Sequence, residues 1–128
     1  MAVKFAEDVR YTQNHEWIRQ DGDEYIVGIS DYAQDELGDI VFVELPDVGQ
    51  GFDAGQAFSV VESVKTASDI YMPVAATVTA VNEALRDAPE LINQDPFGKG
   101  WIVRISVNDT AQLESLLDHR AYRDSTGV

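Results

Sequence analysis

The chain has 128 residues, 45% of them apolar, which is enough for one modest core, so residues 1–128 are read as a single domain expected to be a monomer. Nine basic residues against twenty-three acidic ones leave a net charge of -14 with no Lys/Arg cluster, which argues against nucleic acid and anionic membrane as partners. The absence of cysteine excludes disulfides, thiolate catalysis and Cys-ligated metal centres, and the lack of a signal-peptide core or membrane-length apolar run leads to the expectation of a cytoplasmic protein or a processed organellar one, Met1 favouring the first.

The run YIVGIS (25–30) is rich in β-formers and reads as a strand, as does IVFVEL (40–45), which stops at Pro46. Between them SDYAQDELGD places Ser30 or Asp31 as an N-cap, helix-tolerant residues to Leu37, and Gly38 as the stop. Gly49, Gly51 and Gly55 then punctuate tight turns. QAFSVVE (56–62) alternates as a strand. Pro73 divides the following run into a strand near 69–72 and another near 77–81. The segment 83–100 offers short helical pieces interrupted by Pro89 and Pro96, and WIVRISV (101–107) is the last strand. Asn108 or Asp109 then caps a C-terminal helix whose stripe is Leu113, Leu116 and Leu117, with a frayed tail over 124–128. Short strands joined by glycine turns indicate a mainly β flattened barrel or sandwich with few helices.

Chemistry concentrates in VVESVKTASDIYMP (60–73), where strand-like residues flank a small polar middle. Lys65 falls at or beside the turn, its amine projecting into water from a two-stranded support. A side chain so placed can enter a modifying enzyme and later sweep between partners. Exposed lysines are protonated at neutral pH, so the modifying enzyme must supply the base or a desolvated pocket.

The segment ESVKTASD (62–69) resembles the lipoyl-lysine hairpin of glycine cleavage H proteins and differs from the Met-Lys-Met tip of biotin carriers. YTQNHEW (11–17), VGISDYAQDELGDIVFVELPDVGQ (27–50), ELINQDPFGKGW (90–101) and LLDHRAY (116–122) look like that family's stretches in the same order, so the resemblance covers nearly the whole chain. It implies a lipoyl-domain-like barrel-sandwich hybrid with lipoate carried covalently on Lys65. The implied role is a carrier without catalysis of its own, bearing the aminomethyl group of glycine. It would pass from the pyridoxal-phosphate glycine decarboxylase (P protein) to the tetrahydrofolate-dependent aminomethyltransferase (T protein), and the dithiol would go to dihydrolipoamide dehydrogenase (L protein). A lipoate ligase or octanoyltransferase would attach the arm.

The resemblance also assigns a cleft to the loaded arm, with Glu16 and Asp69 matching family positions that face its amine. Each is alternatively a surface carboxylate or turn cap. Asn14 stands in that cleft where serine is common. Glu62, three residues before Lys65, matches the acid presented to the lipoylating enzyme, or is the solvated face of a strand. His15 is assigned to packing, because neighbours on a strand point to opposite faces and cannot both act on one substrate. Thr66 in place of alanine, and Ala75-Ala76 in place of a Ser-Gly turn, depart from the pattern, and the latter implies another turn type. The rival roles are an H-like donor relaying lipoyl groups to other dehydrogenase complexes and a non-lipoylated β-domain that binds proteins. A hydrolase built on Glu16 and Asp69 lacks a nucleophile and an oxyanion motif.

Overall fold

The structure is a computed structural model that describes residues 3–127. Its nine strands are all paired antiparallel and lie in two sheets. The larger has the order β1 (Arg10–Tyr11), β2 (Glu16–Asp21), β3 (Glu24–Ile29), β9 (Val103–Val107), β8 (Ala76–Val81), β5 (Gly51–Phe52). The smaller has the order β4 (Ile40–Glu44), β6 (Ala57–Ser63), β7 (Ala67–Tyr71). Buried side chains from both sheets, among them Val27, Ile29, Val43, Val61, Ile70, Val78 and Ile105, form one core cluster between them. The mainly β sandwich expected from the pattern of short strands and glycine turns is the architecture found.

Local chemistry explains most element ends. Ser30 caps α1 (Asp31–Leu37) by accepting from Ala33 N at 3.1 Å, and Gly38 ends it with φ 81°, its N–H donating to Gln34 O. The β7/β8 break at Pro73 and the short helices α2 (Ala84–Asp87) and α3 (Leu91–Gln94) fall where the prolines direct. The Ala75-Ala76 bend needs no positive φ: among the described residues His15, at φ 75°, is the sole non-glycine residue in that region. Ala75 N instead donates to Gln112 Oε1 at 2.8 Å.

Two regions differ from expectation. β2, paired along its whole length with β3, has only Trp17 and Ile18 as apolar members, and its strand character comes from that pairing rather than from alternation. The single C-terminal helix is replaced by a 3₁₀ helix (Thr110–Ser115) capped by Asp109 and, after an extended link, α4 (His119–Thr126) capped by Asp118. Leu117 exchanges backbone hydrogen bonds with Tyr11 at 2.8 Å each way, which pulls the chain out of helical conformation beside β1. Leu113 and Leu116 therefore pack on the main core, while Leu117 joins a second cluster around Tyr11, Trp17 and Tyr122. The expected frayed tail is helical through Thr126; Val128 lies outside the described residues.

Candidate functional site

β6 and β7 close on the three residues Val64, Lys65 and Thr66 without a glycine. Ser63 makes this possible: its hydroxyl accepts from Lys65 N and Thr66 N at 3.2 Å each, and its N–H donates to Thr66 O at 2.8 Å. Val64 N donates to Asp39 O at 3.1 Å, fixing the tip against the segment after α1. The Lys65 side chain is exposed and crosses to α1, where Nζ donates to Glu36 O at 2.8 Å. That carbonyl belongs to the last turn of the helix, where oxygens lack intrahelical partners and carry partial negative charge. Gly38 borders the passage, where a Cβ would stand in contact with Lys65 Cε at 3.4 Å.

Asn93 on α3 holds this shelf from behind. Its Nδ2 donates to Gly38 O and Gln34 Oε1, each at 2.9 Å, and its Oδ1 accepts from Ile40 N at 2.9 Å. No sequence signal marks this asparagine, because its three partners lie more than fifty residues away in the chain.

A groove of about 320 Å³ opens beside the shelf, lined by Asn14, His15, Tyr32, Glu36, Ser68 and Ile70 among others. Asn14 also lines a second groove of about 260 Å³, shared with Thr12, Glu16, Tyr71 and Met72. Asn14 thus borders both grooves, and the first also borders the residue whose carbonyl receives Lys65 Nζ.

The residues singled out from the sequence stand differently toward these two grooves. Glu16 is buried, its carboxylate accepting from Thr12 Oγ1 at 2.5 Å and Tyr71 N at 3.3 Å. Burial raises its pKa above the ordinary glutamate value, against the opposing pull of those hydrogen bonds. Asn14 is exposed and borders both grooves. Asp69 is exposed and alternates with Ser68 and Ile70, so it faces away from the first groove. Glu62 is exposed on the outer face of β6, across from Phe42 and Ala67. His15 packs: Nδ1 lies 2.8 Å from Tyr122 Oη and its ring stands 5.1 Å from that of Tyr32. Its pKa is lowered by burial, partly countered by the Glu36 carboxylate. Its left-handed backbone departs from the strand geometry used to separate it from Glu16.

Tyr122 links this neighbourhood to the C-terminus. Its hydroxyl lies 2.6 Å from Ser30 Oγ, its ring stacks on Tyr11 at 4.1 Å, and burial pushes its pKa up to about 12.

A family model described as glycine cleavage H-protein matches residues 9–127. The chain is 55% identical over 124 residues to the probable glycine cleavage system H protein of Haloarcula marismortui, covering 97% of this chain and 98% of that one. It is 55% identical over 122 residues to the glycine cleavage system H protein of Thermus thermophilus, covering 95% of each. The crystal structure of a glycine cleavage system H protein from Mycobacterium marinum superposes with a TM-score of 0.88 at 37% identity, over 96% of this chain and 99% of that one.

Proposed function

The chain belongs to the glycine cleavage H-protein family, and from that membership we propose that it is a lipoyl carrier with the arm mounted on Lys65. The observation that carries the reading is an exposed lysine at a stiff three-residue hairpin tip, its amine lying over a helix end beside a partly apolar groove. An amine so placed can enter a modifying enzyme, because only one exposed hydrogen bond restrains it.

The residues present fit a lipoyl group. Tyr32, Ala33, Leu37, Ile29 and Ile70 supply apolar wall for a hydrocarbon chain, and Asn14 borders both this groove and the one lined by Glu16. When attached, the lipoyl group supplies disulfide and dithiol chemistry and a point of attachment for the aminomethyl unit of glycine. The protein's own part is to bind and shield: Glu16 and Asn14 would face a cationic amine in the second groove. Asp69, on the outer side of β7, would meet the arm only where it passes the free edge of that strand, β7 being an edge strand. Glu62 would be read by the enzyme that attaches the arm.

On this reading a lipoate ligase or octanoyltransferase loads Lys65. The carrier, a monomer without catalysis of its own, then serves the glycine decarboxylase, the tetrahydrofolate-dependent aminomethyltransferase and dihydrolipoamide dehydrogenase. The test is intact mass of the chain from lipoate-replete, ligase-competent cells, together with glycine decarboxylation in the reconstituted system. A lipoyl adduct and activity are expected for the natural chain, and neither for Lys65→Arg. An adduct that persists in Lys65→Arg, or none in the natural chain, overturns the reading.

A further inference from the structure

Glu16 is only 1% exposed, yet no lysine, arginine or histidine forms an ion pair with it among the described residues. A buried carboxylate is costly unless it is hydrogen-bonded and matched by a cation. Its hydrogen bonds are present and unequal. Oε1 accepts from Thr12 Oγ1 at 2.5 Å, a short, strong contact, whereas Oε2 accepts from Tyr71 N at 3.3 Å, near the long limit for an N–H donor.

The inequality comes from the turn that joins β1 to β2. Thr12 N donates to Glu16 O at 2.9 Å and His15 N to Thr12 O at 3.3 Å, and His15 takes the left-handed backbone that closes the turn. The Thr12 hydroxyl sits inside it, accepting from Asn14 N at 3.1 Å and from Glu16 N at 3.2 Å. A hydroxyl has two acceptor positions and one proton. Backbone N–H groups take both acceptor positions, so the proton is committed to Glu16 Oε1. The carboxylate is thus clamped by one oxygen, while the other lies against Tyr71 N on the wall of the second groove, which Thr12, Glu16 and Tyr71 all line.

Resting on the reading that the second groove receives the arm's amine, we propose that Thr12 is a positioning residue for that amine: it saturates Glu16 Oε1 and leaves Oε2 as the one oxygen that meets the ammonium. A primary ammonium brings the charge that the buried carboxylate lacks and N–H donors for its weakly held oxygen. A glutamine could not stand in for Glu16. Thr12 and Tyr71 are both donors, so an amide would satisfy one of them and set its own NH2 group against the other. Thr12 acts through Glu16 and does not itself touch the amine. Its hydrogen bond also draws the carboxyl pKa down, against the burial that raises it, and so favours the charged form that an ammonium needs.

The test is the lifetime of the aminomethyl group on the lipoylated full chain, loaded from glycine by the decarboxylase, separated from it and followed by intact mass without the aminomethyltransferase. Glu16→Gln and Thr12→Val should each shorten that lifetime about tenfold, and Thr12→Ser, which keeps the hydroxyl, should preserve it. Thr12→Val in the Glu16→Gln background should add nothing, because the two side chains act as a unit. The Glu16 carboxyl, followed by carbon NMR, should titrate at higher pH in Thr12→Val than in Thr12→Ser. A natural chain that takes no aminomethyl group, or a natural lifetime in Glu16→Gln, overturns the placing of the amine and this proposal with it. A short lifetime in Glu16→Gln beside a natural one in Thr12→Val, or additive losses in the double variant, overturns the role of Thr12 alone. Should Thr12→Val not fold, the natural chain decides: loading should shift the Tyr71 amide proton, whose acceptor the amine shares, more than the Asn14 amide proton, which Thr12 holds. The reverse order overturns the proposal.

Discussion

Lys65 Nζ stands 2.8 Å from the carbonyl oxygen of Glu36, so the amine rests on the C-terminal end of α1 rather than trailing in solvent. The contact is exposed and single, which positions the amine without holding it. Deleting the side chain in Lys65→Ala should therefore change folding stability by no more than about 0.5 kcal/mol, measured by urea unfolding. A larger loss would mean that the lysine is part of the fold and is not free to leave for another active site.

Gly38 ends the helix at that resting place. Its backbone, at φ 81° and ψ -156°, lies in a region that essentially only glycine occupies, although a Cβ there would stand in ordinary contact with Lys65 Cε at 3.4 Å. Gly38→Ala should destabilise the protein by about 1–3 kcal/mol through backbone strain. A variant as stable as the natural chain would show that this turn can relax.

Asn93→Ala should cost about 1–3 kcal/mol, since it strips the N–H of buried Ile40 of its acceptor and frees the carbonyl of Gly38. Amide exchange read by NMR should speed at Ile40 while leaving the β2–β3 hairpin unchanged. Uniform acceleration across both regions would indicate global rather than local loosening.

Gly28 faces Trp17 across the β2–β3 pair, and a Cβ there would fall 2.7 Å from the indole. That ring is fully buried, with Nε1 donating to Ile29 O at 3.0 Å and Pro96 O at 3.1 Å, so it has nowhere to retreat. Gly28→Ala should destabilise by about 1–3 kcal/mol through overpacking, with a change in tryptophan fluorescence. An unshifted unfolding midpoint would sink this account.

Two residues with displaced pKa values should tilt the pH dependence in opposite directions. The folded pKa of Glu16 is raised by burial, so the native state keeps a proton that the unfolded chain has lost, and stability falls as pH rises from about 4.3 through the folded value. The folded pKa of His15 is lowered by burial, so stability falls as pH drops from about 6.5 through its folded value. Unfolding series against pH should lose the first slope in Glu16→Gln and the second in His15→Asn, asparagine being tolerant of the left-handed backbone at that position. Parallel curves for natural and variant chains would contradict the assignment.

How much could be read from the residues depended on whether the signal was local. Ser30 and Gly38 bracket α1, Pro73 separates β7 from β8, and a small polar stretch between β-formers marks the tip carrying Lys65; each is decided within a few residues of chain. β2 escaped because Arg19, Gln20 and Asp21 dilute its pattern and β3 supplies its order. The leucines at 113, 116 and 117 imitate a helical stripe, yet Tyr11 captures Leu117 by backbone hydrogen bonds that no periodicity records. At the site, the lysine was legible and its supports were not: Asn93 and the crossing to Glu36 depend on contacts between distant segments.

Tyr122 joins the last helix to Ser30, the residue that starts α1, while the opposite end of that helix bears Lys65. The lysine's shelf is thus braced from one end by a helix far from the hairpin in the chain. A chain cut short before Asp118 would carry the same hairpin on an unbraced helix, so the geometry offered for acylation depends on α4 as well as on the hairpin.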